Sequence, residues 1–339
     1  MRNRTNLLAT LTIATLLGAL SCARAIGAPP AASAPTVAHV PVATSGPTST
    51  YAVTPIATLT TAPTAAPTDT LAPPPTAEPA LKTGDSERWV AADGMARPYW
   101  VHVARNHDSR RPVPILFVFH GYTMSPADMT LLGFNDLADS NDSLVVYPVG
   151  WEKSWNAGGC CGLAAIRQMD DVAYVRQILS ALGTVTRIDT RRVYATGFSN
   201  GAMFSYRLAC EMSDVFAAIA PISGPLVYGP CVPQEAVSVM DEHGLSDVVV
   251  PFAGGLGASV VRDVAFPPVE QGIATWVRLD GCSNSGNPQK QGTLTQTIYS
   301  SCREGSVVEL YTIDGEVHMW PGISFTRRIW DFLATHPKA

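Results

Sequence analysis

Gly197-Phe198-Ser199-Asn200-Gly201 is the stretch on which the reading of this 339-residue chain turns. Ahead of it runs Arg192-Val193-Tyr194-Ala195-Thr196, β-branched and aromatic enough for a buried strand. Behind it runs Ala202-Met203-Phe204-Ser205-Tyr206-Arg207-Leu208-Ala209-Cys210-Glu211, which suits a helix. Strand, G-x-S-x-G, helix is the setting in which a serine sits on a tight turn with its hydroxyl thrown clear of the backbone. The flanking glycines remove Cβ atoms that would clash there. The helix start offers free N–H groups where an oxyanion would form. A plain Gly-Ser turn is the alternative, and the rest of the chain decides between them.

Outward from that turn, strands alternate with helices. Pro114-Ile115-Leu116-Phe117-Val118-Phe119 is a continuous apolar run of the kind buried on both faces of a parallel sheet, and it ends in His120-Gly121-Tyr122. A helix is predicted from about Ser125 to Asp139, then a strand over Ser143–Pro148. Gly150 to Met169 is a long loop rich in Trp, Gly and Cys, and Asp170 or Asp171 caps the helix that follows it. Phe216–Ile222, Ala236–Met240 and Val307–Ile313 read as strands, Glu270–Leu279 and Ser324–Ala334 as helices. Arg88–Val90 and Tyr99–Ala104 form a hairpin about Asp93-Gly94, with His102 a structural histidine. The pattern is an α/β fold with a mostly parallel central sheet and helices on both faces, whose active site lies at the carboxyl ends of the strands.

The N-terminal quarter differs in kind. Residues 1–22 read as an export signal: Arg2 and Arg4, an apolar Leu7–Leu20, and small residues at Ala19-Leu20-Ser21-Cys22. The stretch is short for a membrane span. Cys22 stands where a bacterial lipobox carries its lipidated cysteine, although leucine is more usual where Ala19 stands. Ordinary secretion, or an uncleaved anchor, are the alternatives. Residues 23–84 are a Pro/Thr/Ala-rich linker that cannot bury enough apolar surface to fold, and His39 within it is solvated. Residues 85–339 are the catalytic domain. The formal net charge of −5 gives no reason to expect a nucleic-acid partner.

A serine hydroxyl needs a base, and the base an orienting carboxylate. In α/β-hydrolases the order along the chain is Ser, acid, His, each after a strand. Ser199, Asp247 and His318 meet that order. His243 lies too near the acid loop to be the terminal base, and His336 is in the tail. Asp241 is the main rival acid but sits where the strand is still extended; Asp263 and Asp280 have no strand directly ahead. The N–H groups of Asn200 and Tyr122 are the expected oxyanion donors, with His120 propping the loop.

Together these residues carry a family resemblance. His120-Gly121-Tyr122, the loop from Ser154-Trp155-Asn156 to Cys160-Cys161-Gly162, Asp170-Asp171-Val172, Gly197 to Ala202, His243-Gly244 with Asp247, and His318-Met319-Trp320-Pro321-Gly322 stand in the order found in the polyhydroxybutyrate depolymerase / feruloyl esterase (LpqC-like) family. The resemblance covers about Glu87 to Leu333. It implies an α/β-hydrolase fold, hydrolysis of carboxylic esters, no metal or cofactor, and Ser199, Asp247 and His318 as triad. It also implies Trp155 and Trp320 at the pocket mouth, where aromatic planes suit a phenolic acyl group or a sugar ring, although both could simply pack the loops. Two departures stand out: Asp241-Glu242 where that strand is usually apolar, and Gly315-Glu316-Val317 where glycines usually precede the base.

With Cys22 set aside, the remaining cysteines form an even set that suggests disulfides in an exported domain. Cys210 with Cys231 and Cys282 with Cys302 are the natural local pairs. Cys160 and Cys161 bond to each other or elsewhere. No paired Cys/His spacing supports zinc. The expectation is a monomeric, secreted or lipid-anchored serine esterase acting on feruloyl or acetyl esters of plant polysaccharide. A polyhydroxyalkanoate depolymerase and a non-catalytic carbohydrate binder are the alternatives.

Overall fold

A computed structural model describes residues 80–339; the export signal, Cys22 and the linker up to residue 79 lie outside the described residues. In chain order the strands are β1 (Gly84–Ala92), β2 (Met95–Val103), β3 (Val113–Phe119), β4 (Leu144–Pro148), β5 (Ile188–Phe198), β6 (Ala218–Ile222), β7 (Ser238–Gly244), β8 (Gly255–Leu256), β9 (Ala265–Phe266), β10 (Asn284–Ser285), β11 (Gln289–Gln291), β12 (Leu294–Ser300) and β13 (Val308–Ile313). The helices are α1 (Pro126–Thr130), α2 (Phe134–Asn141), α3 (Gly162–Ile166), α4 (Asp171–Gly183), α5 (Asn200–Glu211), α6 (Val269–Leu279) and α7 (Ile323–Thr335). Among the described residues the main sheet has the order β1-β2-β4-β3-β5-β6-β7-β13-β12-β10, with β11 on β12. From β4 to β13 every pairing is parallel, and both margins are antiparallel.

The central strands are buried on both faces, which is why they read as unbroken apolar runs. Along β3, Ile115, Phe117 and Phe119 join one core with α4, α5 and α6, while Leu116 and Val118 join the other with α1, α2 and α7. β5 lies in the middle of the parallel set, so the turn after it opens centrally on the carboxyl edge.

Several local expectations change. The linker boundary moves a few residues toward the N-terminus: β1 starts at Gly84, and Leu81 already packs on the core. The single helix expected over Ser125–Asp139 is two, α1 and α2, parted at Gly133 (φ 84°), where the Ile323 side chain fills the space a Cβ would need. β7 continues past Met240 through Asp241, Glu242 and His243, all buried. Nothing in the sequence marked β12, whose Leu-Thr-Gln-Thr start is only half-buried on the sheet margin.

Disulfides join Cys210 to Cys231, Cys282 to Cys302, and Cys160 to Cys161. The Cys282–Cys302 bond ties the end of α6 to the end of β12, across 20 residues of chain. Closing a loop of that length in the unfolded chain is worth about 3 kcal/mol. The Cys282→Ser/Cys302→Ser double variant is therefore expected to lose about 3 kcal/mol. Urea unfolding checks this: the midpoint should fall in proportion.

Candidate active site

Ser199 sits between β5 and α5 at φ 55°, ψ −117°, a backbone state L-residues rarely hold. The turn closes so tightly that a Cβ on Gly201 would lie 2.3 Å from the Phe119 carbonyl oxygen, and one on Gly197 2.6 Å from Gly201. The Ser199 N–H donates to the Ile222 carbonyl on β6 at 2.8 Å, which fixes the turn from its other side.

The loop after β13 brings His318 onto this serine, with Nε2 2.9 Å from Ser199 Oγ. Its Nδ1 lies 2.6 Å from Oδ2 of Asp247, which comes from the loop after β7. The imidazole packs on Phe198 with ring centroids 4.8 Å apart. Asp247 Oδ1 accepts the N–H groups of Val249 and Val250, both at 2.8 Å. Burial pushes the Asp247 carboxyl up, but the imidazoles of His243 and His318 and the Val250 N–H outweigh it and hold it well below the usual carboxylate range. The Ser246 N–H donates to the Glu316 carbonyl at 2.9 Å and stitches the acid loop to the base loop. Ser199 keeps 9 % of its surface exposed and the His318 side chain 13 %, so the hydroxyl–imidazole pair reaches solvent while the carboxylate does not.

The loop after β3 lies beside the serine. The turn there uses the N–H groups of Thr123 and Met124, and leaves that of Tyr122 without a partner among the described residues. Asn200, at the first helical position, has no intrahelical acceptor for its own N–H. His120 holds the loop: its Nδ1 lies 2.9 Å from the Gly121 carbonyl, and its Nε2 accepts the Gly150 N–H at 3.0 Å. Those partners require the neutral Nδ1–H tautomer, and burial pushes the imidazole down to about 4.

Trp155 does not line a pocket mouth. It is fully buried, stacked on Phe204 at 5.3 Å, with its indole N–H on the His120 carbonyl at 2.9 Å. Its own backbone is held by the Asn200 side chain, which accepts from Trp155 N at 2.7 Å and donates to Trp155 O at 3.0 Å. Trp155 is thus a strut between the oxyanion loop and the start of α5, a role that residue type alone could not reveal. Trp320 is half-buried; its N–H donates to Thr326 Oγ1 at 2.9 Å and its ring packs edge-on against Phe134. Asp170 caps α4 through the Ala173 N–H. Asp171 is buried between Arg97 at 2.7 Å and the Asn156 N–H at 2.8 Å, which ties the Trp155 loop to β2. Of the rival acids, Asp241 lies inside β7 bonded to Tyr206, and Asp280 bonds Ser306. A cavity lined by Pro114, Ser143, Arg192 and Leu333 lies at the opposite, amino-terminal edge of the strands.

A hydroxyl, an imidazole and a carboxylate hydrogen-bonded in series, beside two unspent N–H groups, can carry out nucleophilic acyl transfer. Residues 109–295 match the family described as Esterase PHB depolymerase. The chain belongs to that family. Among curated proteins it is similar to feruloyl esterase B of Piromyces equi, 28% identical over 221 residues, which cover 61% of this chain and 40% of that protein. It is also 29% identical over 238 residues to the bifunctional acetylxylan esterase/xylanase XynS20E of Neocallimastix patriciarum, covering 69% of this chain and 33% of that one. The chain thus spans less than half the length of these two relatives. Among solved structures, the acetyl xylan esterase from Aspergillus awamori superposes with a TM-score of 0.55 at 14% identity, over 73% of this chain and 99% of that one. The likeness shows that the fold is the α/β-hydrolase fold.

If the Asn200 amide is what holds Trp155, Asn200→Ala should leave the buried Trp155 N–H unpaired, at about 1–3 kcal/mol, while the Trp155 carbonyl keeps the N–H groups of Ala157 and Cys161. The expected outcome is a lower unfolding midpoint together with slower labelling of Ser199 by a fluorophosphonate probe. The Asn200 main-chain N–H survives the change, so an unaltered labelling rate would show that the strut does not place the oxyanion loop.

Proposed function

We propose that the protein is a secreted serine carboxylesterase acting on feruloyl or acetyl esters of plant polysaccharide. The observation that carries this reading is the hydrogen-bonded series Ser199–His318–Asp247 at the carboxyl edge of the sheet. Ser199 Oγ attacks the ester carbonyl as its proton passes to His318 Nε2, and Asp247 steadies the resulting imidazolium. The N–H groups of Tyr122 and Asn200 receive the negative oxygen. Collapse expels the alcohol, which takes the proton from His318 and leaves an acyl group on Ser199. Water then repeats the sequence and frees the acid. The similarity to feruloyl and acetylxylan esterases supports the acyl groups named. The disulfides support an oxidising, extracellular setting, with residues 1–22 as export signal, Cys22 as a candidate lipid anchor and the stretch to residue 79 as tether.

A polyester substrate is the second reading. Val317 and Met319, either side of His318, and Val248, beside Asp247, are at least half exposed, and such an aliphatic rim suits a water-insoluble chain.

Wild type should hydrolyse p-nitrophenyl acetate, and Ser199→Ala should lose about 10 000-fold or more in kcat. Equal rates would remove the serine mechanism, and no hydrolysis by either protein would leave a non-catalytic binding role. Methyl ferulate, acetylated xylan and polyhydroxybutyrate film, assayed side by side, then choose the acyl group; hydrolysis of the film alone would overturn the polysaccharide reading.

A further inference from the structure

The acid that backs His318 faces a second imidazole. His243 Nε2 lies 2.7 Å from the Val250 carbonyl and 3.4 Å from Asp247 Oδ2, the same oxygen that takes His318 Nδ1. The side chains of His243 and Asp247 are both fully buried. Behind His243, on the same face of β7 two residues back, lies Asp241, whose Oδ2 accepts the Tyr206 hydroxyl at 2.7 Å. His243 Nδ1 and Asp241 Oδ1 have no hydrogen-bond partner among the described residues. These groups run from α5 into the core and end at the triad carboxylate, and the Asp241-Glu242 pair is where the chain departs from the usual apolar strand.

We propose that His243 is a positioning residue, a buried imidazolium that shares the Asp247 carboxylate with His318, has the Tyr206-bonded Asp241 behind it, and extends activity to lower pH. The inference rests on the serine-esterase reading above. A carboxylate already facing one cation attracts a second less strongly. An Asp247 shared with a charged His243 therefore steadies the charged form of His318 less than Asp247 alone would.

The groups around His243 agree with this. Burial pulls its charge down, but Asp247, Asp241 and the Val250 carbonyl outweigh burial and raise its proton affinity. Burial pushes Asp241 up to about 7, against the pull of His243 and Tyr206. Tyr206, raised by burial and by Asp241, stays a donor. On the opposite face of β7, burial and then Glu316 push Glu242 well up, and burial raises Glu316 too. The Phe252 ring, 5.9 Å from the His243 ring, supplies no counter-charge.

His243→Gln keeps an N–H for the Val250 carbonyl and removes the charge. The acid limb of the kcat/KM profile for p-nitrophenyl acetate is expected to move up by about half a pH unit. A merely structural His243 would cost stability and leave the limb in place, which would overturn the proposal. NMR of side-chain-labelled histidine in the wild type gives a second reading that does not depend on the variant folding. His243 should hold both ring protons to a higher pH than a free imidazole does, and a ring that turns neutral no later than a free imidazole would overturn the proposal as well. Ser199→Ala in the same assay separates the two levels. If it stays active, the esterase reading fails and takes this inference with it. If it is dead while the limb of His243→Gln does not move, only the inference fails.

Discussion

The main chain of the first turn of α5 presses directly against the end of β3, and the site depends on that contact. With Gly201 under the Phe119 and His120 carbonyls, no side chain separates the nucleophile turn from the neighbouring strand. The loop after β3 is therefore held beside Ser199 by backbone packing rather than by side-chain reach. Parallel topology does the rest. Successive loops after β3, β5, β7 and β13 open on one edge, so residues 119 and 71 positions apart in the chain meet within hydrogen-bond distance.

Backbone packing sets distance but not orientation, and orientation comes from buried polar bonds. The carbonyls of His120 and Gly121 are each occupied, by the Trp155 indole and the His120 ring. The backbone of Trp155 is itself clasped by Asn200. Each of these groups is buried, so each bond lost would leave a desolvated partner, which makes the arrangement more rigid than its number of bonds suggests. Asp171 with Arg97 extends the same logic one layer outward, to β2. The long loop after β4 is in this sense part of the scaffold of the site.

What the sequence made legible follows from this division. That Ser199, Asp247 and His318 lie within hydrogen-bond reach of one another was legible because parallel topology imposes a chain order and a position after a strand, both visible as apolar periodicity followed by a polar turn. The two helices around Gly133 were not, because a lone glycine inside a helical pattern does not announce the left-handed φ it adopts there. Trp155 looked like a pocket wall because an indole in a Gly-rich loop is equally suited to cover a ligand or to fill a core. Only the position of Asn200 and Phe204 on α5 decides between them. β12 was hidden for a related reason: a half-buried strand on a sheet margin needs no apolar run, and its Thr and Gln residues are equally at home in a loop.

The buried carboxylates of β7 are harder to justify by stability. A carboxyl whose native pKa lies above its unfolded value keeps its full contribution only below about pH 4. It loses that contribution as the pH climbs through the native value, about 7 for Asp241. Asp247 runs the other way: its contribution is present above the ordinary carboxylate value and is lost as the pH falls through the depressed native one. Near neutrality the loop after the strand thus carries a carboxyl that favours the fold, while the strand itself carries others that work against it. An apolar strand would avoid the second cost, since replacing buried charge by well-packed hydrophobic groups is often neutral or stabilising. What an apolar strand could not do is set a charge behind His243 while leaving Asp247 to its own two imidazoles, and the placement of Asp241 on the His243 face, rather than on the face of Met240, is the part of the arrangement that packing alone does not require.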